Sequence, residues 1–308
     1  MFVSYRDEKI QIVCKYSNCC DMVMVFEKLG GNHIFNVSSP KKLPKDSKKT
    51  YEALLSAGQL IDNCGGSDWF GPHKVYAVNN ADGDTNNGGF VGGSHNNENN
   101  EHYNPPEISV TGRSDNIRII VDNNVFCKSF EGYADDITVL WDTYVQGCNT
   151  KKADGTGREI LVEHHKMTYD GEKWLADTDI EFFEDARWDL YFGMQAVNGN
   201  NWNGEICYGN SGEWLSIASA DTSSGDKMTD TMTMRKNGHY LEMHLDNGFG
   251  IGNREYVKDS TQSGAFSRIY AGFGKSYFRL VTSDGIYIPA HSHQKYRGYY
   301  RFYYSEDN

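Results

Sequence analysis

The chain has 308 residues, 13% aromatic residues, 32 glycines and only six prolines, and its formal net charge is -12. This acidic balance disfavours nucleic-acid or anionic-membrane partners, because both need a basic surface that displaces counterions. Aromatic residues and glycines in short alternating runs are typical of an all-β protein with many turns. We therefore expect a large antiparallel β-sandwich, similar to a supersandwich, with one notable helix.

The first residues predict a β element. Residues 8–16 and 22–29 have the composition of strands, and Gly30, Gly31 and Asn32 mark a return before the apolar run HIFNV. Residues 49–61 (KTYEALLSAGQLI) then place apolar side chains at roughly helical spacing, which predicts the helix. No Pro-rich or Ser-rich linker marks a boundary. We therefore expect one domain, 1–308, with residues 1–45 as an attached N-terminal β element.

The start of the chain and its cysteines indicate where the protein is made. Residues 6–9 are all charged, at the place where a Sec signal peptide has its apolar stretch. The seven cysteines are an odd number, and none has the spacing of a CxxC motif or a zinc site. We expect mostly reduced thiols in a protein made in a cytoplasm without a signal peptide.

Residues 79–104 (NNADGDTNNGGFVGGSHNNENNEHYN) are the most unusual segment, with nine Asn and five Gly. This composition favours turns, so we expect a long surface loop, either solvated and mobile or rimming a ligand cleft. Amide and imidazole groups at this density suit a ligand covered in hydroxyl groups. The candidates are one catalytic residue, His95, and four substrate-binding residues: Asn96, Asn97, His102 and Tyr103.

The start of the same loop resembles a calcium site in part. Asp82, Asp84 and Asn86 alternate as calcium ligands do, but the sixth position lacks Gly and the twelfth lacks Glu. A cluster of Asx turns is the alternative interpretation. We expect no metal and no cofactor, with calcium at Asp82 and Asp84 as the exception to test.

Two hairpins have a register that their turns predict. A two-residue turn at Asn237-Gly238 pairs residues of like polarity: Met234 with Leu241, Met232 with Met243, Thr233 with Glu242 and Thr231 with His244. A two-residue turn at Asp170-Gly171 pairs Met167 with Trp174, Leu161 with Ile180 and His164 with Asp177. In DITVLWDTYV, alternate residues from Ile137 to Val145 share a core face.

His164 is the best candidate for proton transfer, since a carboxylate opposite it, Asp177, would fix its tautomer and raise its basicity. Tyr191 and Arg187 are further catalytic candidates. Trp188 and Trp202 stand beside Asp or Asn, where exposed rings often stack on sugars, so we predict that they bind substrate. His291 and His293 occupy alternate positions, as in a metal pair or a polar rim.

Two segments together carry a family resemblance. These are SDWFGPHKVYAVNNADGD running into GGFVGGSHNN, and NTKKADGTGREILVEHHKMTYDGEKWLADTDIEFFEDARWDLYFGMQ. They resemble domains of bacteriophage tail and tail-fibre proteins and of related gut bacterial proteins. The shape of those domains is similar to the galactose-mutarotase-like β-supersandwich of several polysaccharide lyases. The resemblance covers residues 66–195.

The resemblance implies a glycan across the concave face of a large antiparallel sheet, served by His, Tyr, Arg and Asn side chains. By their positions in the matched segments, His95, Asn96 and His164 are the residues to which the resemblance assigns this role. We expect a carbohydrate-recognising phage tail component that binds or cleaves a polysaccharide or cell-surface glycan, as a lyase or hydrolase in the second case. The alternative is a structural virion or assembly protein without a glycan ligand. A homo-oligomer or association with other virion proteins is expected.

Overall fold

The computed structural model describes residues 1–29, 32–38, 40–45, 50–51, 53, 55, 59–60, 69–79, 89–93, 110–151, 157–197, 202–218, 228–257, 267–270 and 274–305. Strands dominate this part of the chain, and every pairing between them is antiparallel. The prediction of an all-β antiparallel sandwich is confirmed.

A seven-stranded sheet contains the N-terminal strands in the order β10-β1-β2-β3-β5-β6, and β4 also pairs with β3. Its strands are β1 (Phe2–Arg6), β2 (Lys9–Lys15), β3 (Cys20–Leu29), β4 (Ile34–Val37), β5 (Lys41–Pro44), β6 (Gln59–Leu60) and β10 (Phe130–Tyr133). The predicted N-terminal strands are therefore present, and β3 pairs antiparallel with β4, whereas Gly30 and Gly31 of the predicted return lie outside the described residues. Strand β10 also ties residues 1–45 to the middle of the chain, since Phe2 pairs with Tyr133.

A ten-stranded sheet has the order β17-β16-β18-β19-β23-β13-β12-β11-β8-β9. Its strands are β8 (Gly112–Val121), β9 (Asn124–Phe126), β11 (Ile137–Gln146), β12 (Glu159–Tyr169), β13 (Trp174–Phe182), β16 (Glu205–Tyr208), β17 (Leu215–Ser216), β18 (Thr231–Lys236), β19 (His239–Leu245) and β23 (His293–Tyr304).

Two three-stranded sheets complete the fold. One has the order β22-β14-β7 and the other β15-β21-β20. Their strands are β7 (His73–Ala77), β14 (Ala186–Tyr191), β15 (Gln195–Val197), β20 (Ser267–Tyr270), β21 (Lys275–Phe278) and β22 (Val281–Ile288). A short 3₁₀ turn, Gly250–Asn253, follows β19.

The core lies between the sheets. Phe26 of β3 packs edge-on against Trp141 at 6.0 Å and Trp174 at 5.7 Å, which joins the seven-stranded sheet to the inner face of the ten-stranded sheet. Trp188 of β14 packs against Phe182 at 5.3 Å and brings the first three-stranded sheet onto the same inner face. The alternating residues Ile137 to Val145 of β11 are buried there, as predicted.

Three predictions about elements need correction. Tyr51, Ala53 and Leu55 have helical backbone, but Gln59–Leu60 is a strand, so a helix reaching residue 61 is wrong. Val91, inside the predicted surface loop 79–104, is completely buried and forms a bridge with His73. That segment therefore contributes one aliphatic side chain to the core, although most of it lies outside the described residues.

The third correction concerns the register of the β12–β13 hairpin. The structure pairs Tyr169 with Trp174, Met167 with Ala176 and His164 with Asp179. The turn has four residues because the Asp170 carboxylate accepts the backbone N–H groups of Glu172 and Lys173, at 3.0 and 2.9 Å. A register moved by two residues leaves every side chain on its predicted face, so polarity alone did not distinguish the two turns.

No disulfide bond joins the six cysteines that the structure describes: Cys14, Cys19, Cys20, Cys127, Cys148 and Cys207. Within the described ranges, no helix has the length and apolar character needed to cross a bilayer.

Candidate functional site

The outward face of the ten-stranded sheet carries a row of charged side chains. Cross-strand pairing aligns four residues of β11, β12, β13 and β23 in one line: Asp142, His164, Asp179 and Lys295. These positions alternate along their strands with core residues, so they point away from the core. We call this set the polar row.

His164 is the most constrained member of the polar row. Its Nδ1 lies 2.8 Å from Oδ1 of Asp142, and its Nε2 lies 3.7 Å from Oε2 of Glu181. The other oxygen of Asp142 accepts the Asn116 amide at 2.6 Å. The His164 side chain is 41% exposed, whereas Asp142 is 12% exposed. The Asp142 carboxylate thus orients the ring through Nδ1, while Nε2 faces the more distant Glu181 carboxylate.

The electrostatics of this pair favour a charged imidazolium. The hydrogen bond with Asp142 raises the pKa of His164 above its ordinary value, although partial burial opposes the shift. Burial acts to raise the pKa of Asp142, but hydrogen bonds from His164 and Asn116 outweigh it and lower that pKa. A protonated His164 is a good hydrogen-bond donor and a poor general base.

Asp179 joins the polar row to the last strand. Its Oδ1 lies 2.9 Å from His293 Nδ1, and its Oδ2 lies 2.8 Å from Lys295 Nζ. Burial acts to raise the pKa of Asp179, but these two partners lower it. His293 therefore belongs to the polar rim that the sequence offered as one alternative, while His291 precedes β23.

Asp177, predicted to face His164, lies on the same outward face but one row away. Its cross-strand neighbours are Lys166 and Arg297. The register places Asp179 opposite His164 instead, and the carboxylate that bonds the imidazole is Asp142 of β11. The predicted His164–Asp177 pair is wrong because the turn has two more residues than assumed.

A second polar cluster lies on the inner face of the sheet, and its central residue, Glu163, precedes His164 in β12. Glu163 Oε1 accepts the Tyr191 hydroxyl at 2.6 Å and lies 3.2 Å from His73 Nε2. Its Oε2 lies 3.7 Å from His165 Nε2, and the Tyr191 hydroxyl is 3.1 Å from that of Tyr296. All five side chains are buried. We call them the buried cluster.

The buried cluster keeps Glu163 ionised. Burial acts to raise its pKa, but the charges and hydrogen bonds of His73 and His165 outweigh burial and lower it. Burial, followed by the negative charge of Glu163, raises the pKa of Tyr191 well above its ordinary value. A glycan at the surface cannot touch these groups, so they form a polar part of the core.

Three predicted site residues are therefore buried. Tyr191 belongs to the buried cluster, on the opposite side of the sheet from His164, and does not share a cleft with it. Trp188 and Trp202 have no exposed surface. Trp188 packs on Phe182 and Trp202 on Phe302, so the prediction that they stack on a sugar is wrong. Strand alternation turns Trp188 of β14 inward, whereas Trp202 is buried from the bend that precedes β16.

Arg187 is exposed but lies away from the polar row. It is in β14, where its guanidinium covers the Tyr76 ring at 4.3 Å and its Nε lies 3.1 Å from Asp189 Oδ1. Five more candidates, His95, Asn96, Asn97, His102 and Tyr103, lie outside the described residues, as do Asp82 and Asp84. Among the residues that the structure describes, no group of three or more His, Cys, Asp or Glu is arranged to hold a metal ion.

Comparisons with known proteins add little to this description of the site. No family model matches the chain, and no curated protein matches it. One solved structure of similar shape is the galactose 1-epimerase from Lactobacillus acidophilus NCFM, with 8% sequence identity, 98% of each chain covered and a TM-score of 0.35. A TM-score this low does not establish a shared fold, so the assignment as an antiparallel sandwich rests on the strand pairing itself.

Sequence reasoning missed Asp142, Asn116 and Glu163. Asp142 is the one charged residue of β11, where it shares the outward face with Thr138, Leu140 and Tyr144, and that charge was the available signal. Asn116 has a left-handed backbone (φ 53°) that no local motif indicated. Glu163 precedes His164 in VEHHK, and alternation alone implied that Glu163 and His165 share the face opposite to His164.

Proposed function

We propose that this protein recognises a carbohydrate on the outward face of its ten-stranded sheet, centred on His164. The observation that carries the proposal is the geometry of this side chain, which is 41% exposed, has Nδ1 held by Asp142 and has Nε2 3.7 Å from the Glu181 carboxylate. The polar row presents fixed donors and acceptors across four strands. A hydroxyl-rich ligand must replace its hydrogen bonds to water by such fixed groups.

The chemistry of the row favours binding over cleavage. A lyase needs a base within about 3 Å of the proton that it removes. The pKa of His164 is raised, which keeps the ring protonated to higher pH, and Tyr191 is buried behind the sheet. We therefore propose that the glycan leaves unchanged, as expected for a recognition component.

A phage tail or tail-fibre origin is part of the proposal and is supported by the resemblance of residues 66–195 alone. The alternative, a structural virion or assembly protein without a glycan ligand, is favoured by the burial of Trp188 and Trp202. A sugar-binding groove would use such rings as stacking platforms.

The first test is a glycan array followed by calorimetric titration of the strongest binder. His164→Ala should weaken binding about tenfold or more, since it removes a charge-assisted hydrogen bond. His33→Ala is the matched control, because His33 is an exposed imidazole beside β4 in the other large sheet. An ultraviolet assay for unsaturated products, together with a reducing-end assay, should find none.

The results separate the hypotheses. Equal affinity for His164→Ala and His33→Ala would remove His164 from the site. Product formation would establish an enzyme instead of a binding protein. No bound glycan on a broad array would favour the structural alternative.

A further inference from the structure

The outward face of the seven-stranded sheet contains a groove of about 830 Å³, within the usual size range of small-ligand sites. The groove lies on the N-terminal strands, in a different sheet from the polar row. Ten of the eleven residues that line it are polar or charged, and the eleventh is Leu55.

The floor of this groove follows from strand alternation. In β1, Val3 and Tyr5 point into the core, so Ser4 and Arg6 point outward. In β2, Ile10 and Ile12 are core residues, so Lys9 and Gln11 point outward. Cross-strand pairing then aligns two adjacent rows on the floor: Glu131, Ser4 and Gln11 in one, and Arg6 with Lys9 in the other.

The charges in the groove neutralise one another. Four cations (Arg6, Lys9, Lys28, Lys41) face four anions (Asp7, Glu8, Glu27, Glu131) in its lining, so no net charge results. Three of the cations are paired: Lys9 Nζ with Glu27 Oε2 at 2.6 Å, Lys28 Nζ with Glu8 Oε2 at 2.7 Å, and Arg6 with Glu131. Such walls disfavour a highly charged ligand of either sign. They offer donors and acceptors to a neutral one.

Two neutral polar groups of the floor are available to a ligand. Ser4 and Gln11 are direct cross-strand partners, and both are half-buried. Within the described part of the chain, neither the Ser4 hydroxyl nor the Gln11 amide makes a side-chain hydrogen bond to the protein. A hydroxyl and an amide side by side match the alternating donors and acceptors of sugar hydroxyl groups.

An exposed aromatic ring stands beside the groove. Tyr133 is 73% exposed, and it lies two residues after Glu131 in β10, on the same face of the sheet. Phe2 and Tyr51 hold the ring edge-on at 5.5 and 6.0 Å. Tyr51 packs with Leu55 on the apolar end of the same face, so the platform borders the groove. A supported ring open to solvent suits stacking on a pyranose.

We propose that this groove is a second carbohydrate site, which takes a neutral oligosaccharide with one sugar ring on Tyr133 and its hydroxyl groups on Ser4 and Gln11. It shares its ligand class with the function proposed for the polar row, but no residue of that row takes part. A chain with two sites on different sheets binds a polymeric glycan with higher avidity than either site alone.

The test uses the full chain and an array of neutral, sialylated and sulfated oligosaccharides. The strongest neutral binder is then titrated by calorimetry into the wild type and the variants. Tyr133→Ala and Gln11→Leu should each weaken one of two sites about tenfold. Tyr287→Ala is the matched control, since that tyrosine is 59% exposed on a three-stranded sheet. Melting temperatures verify that each variant folds.

His164→Ala, measured in the same series, distinguishes the two proposals. Two sites per chain, one weakened by Tyr133→Ala and Gln11→Leu and the other by His164→Ala, support both. Loss of binding in His164→Ala alone overturns the groove and leaves the polar row in place. Loss of binding in Tyr133→Ala and Gln11→Leu alone overturns the polar row as a glycan site and leaves the groove in place. Binding of charged glycans only, or of none, overturns the groove as a neutral carbohydrate site.

Discussion

At the scale of single residues, three consecutive side chains of β12 are divided between the two faces of the sheet. Glu163 and His165 enter the core, whereas His164 points outward to Asp142. The period of two in a β-strand imposes this division, since neighbouring side chains leave the sheet on opposite faces. The polar row and the buried cluster therefore both include residues of β12, but they lie on opposite faces of the sheet.

We expect Glu163→Gln to lower the free energy of unfolding by about 3 kcal/mol at neutral pH. The change removes the negative charge that His73, His165 and Tyr191 surround in the core, and breaking a buried pair at one partner is costly. Chemical denaturation of both proteins measures the difference. Glu181→Gln is the control, because Glu181 is one-third exposed beside His164 and should cost under about 1 kcal/mol.

The difference in unfolding free energy between the wild type and Glu163→Gln should become smaller as the pH falls. The pKa of Glu163 is lower in the folded protein than its ordinary value of 4.5, so its ionisation stabilises the fold above that pH. The stabilisation should decrease progressively as the pH falls below about 4.5. A difference between wild type and Glu163→Gln that stays constant from pH 7 to pH 3 would contradict this account.

At the scale of elements, two hairpins with similar turn sequences differ in predictability. The β18–β19 hairpin has the predicted register, with Met232 opposite Met243 and Met234 opposite Leu241. Its turn residues Asn237 and Gly238 have φ values of 51° and 78°, as a type I′ turn requires. In the β12–β13 hairpin, the Asp170 side chain stabilises a longer turn instead, which the Asp-Gly pair alone did not indicate.

We expect Gly238→Ala to destabilise the protein by about 2 kcal/mol. Its positive φ disfavours a side chain, and a Cβ would lie 2.6 Å from the Ser305 carbonyl oxygen and 2.9 Å from the Tyr304 ring. Gly171→Ala is the matched control, with a φ of 97° but no atom within 4 Å of its Cβ. It should cost about 1 kcal/mol in the same denaturation experiment. Equal costs would show that the contact with Ser305 is unimportant.

At the scale of the whole molecule, a buried polar contact joins the N-terminal part of the chain to the C-terminal strands. The Tyr16 hydroxyl lies 2.5 Å from His239 Nδ1, and the His239 ring packs edge-on against Tyr304 at 5.1 Å. Burial, with a smaller contribution from Lys42, lowers the pKa of His239 to about 4. The ring is therefore neutral at physiological pH, and a hydrogen bond joins its Nδ1 to the Tyr16 hydroxyl.

We expect Tyr16→Phe to lower the free energy of unfolding by about 1 to 2 kcal/mol, since it leaves a buried ring nitrogen without its hydrogen-bond partner. Urea denaturation at pH 7 measures the change. Tyr133→Phe removes the hydroxyl of a largely exposed tyrosine and should cost almost nothing. If the two variants were equally stable, the contact between Tyr16 and His239 would not stabilise the folded protein.

The sequence by itself determined the local features of this protein. Alternation indicated the antiparallel strands and the buried side of β11, and the Asn237-Gly238 turn fixed one register, because both depend on neighbours in the chain. Only the tertiary structure decided which polar groups meet. Asn116, Asp142 and His164 come from β8, β11 and β12, and Glu163, His73 and Tyr191 come from β12, β7 and β14. Their encounter depends on strand order and register across the sheets, and no local pattern encodes either.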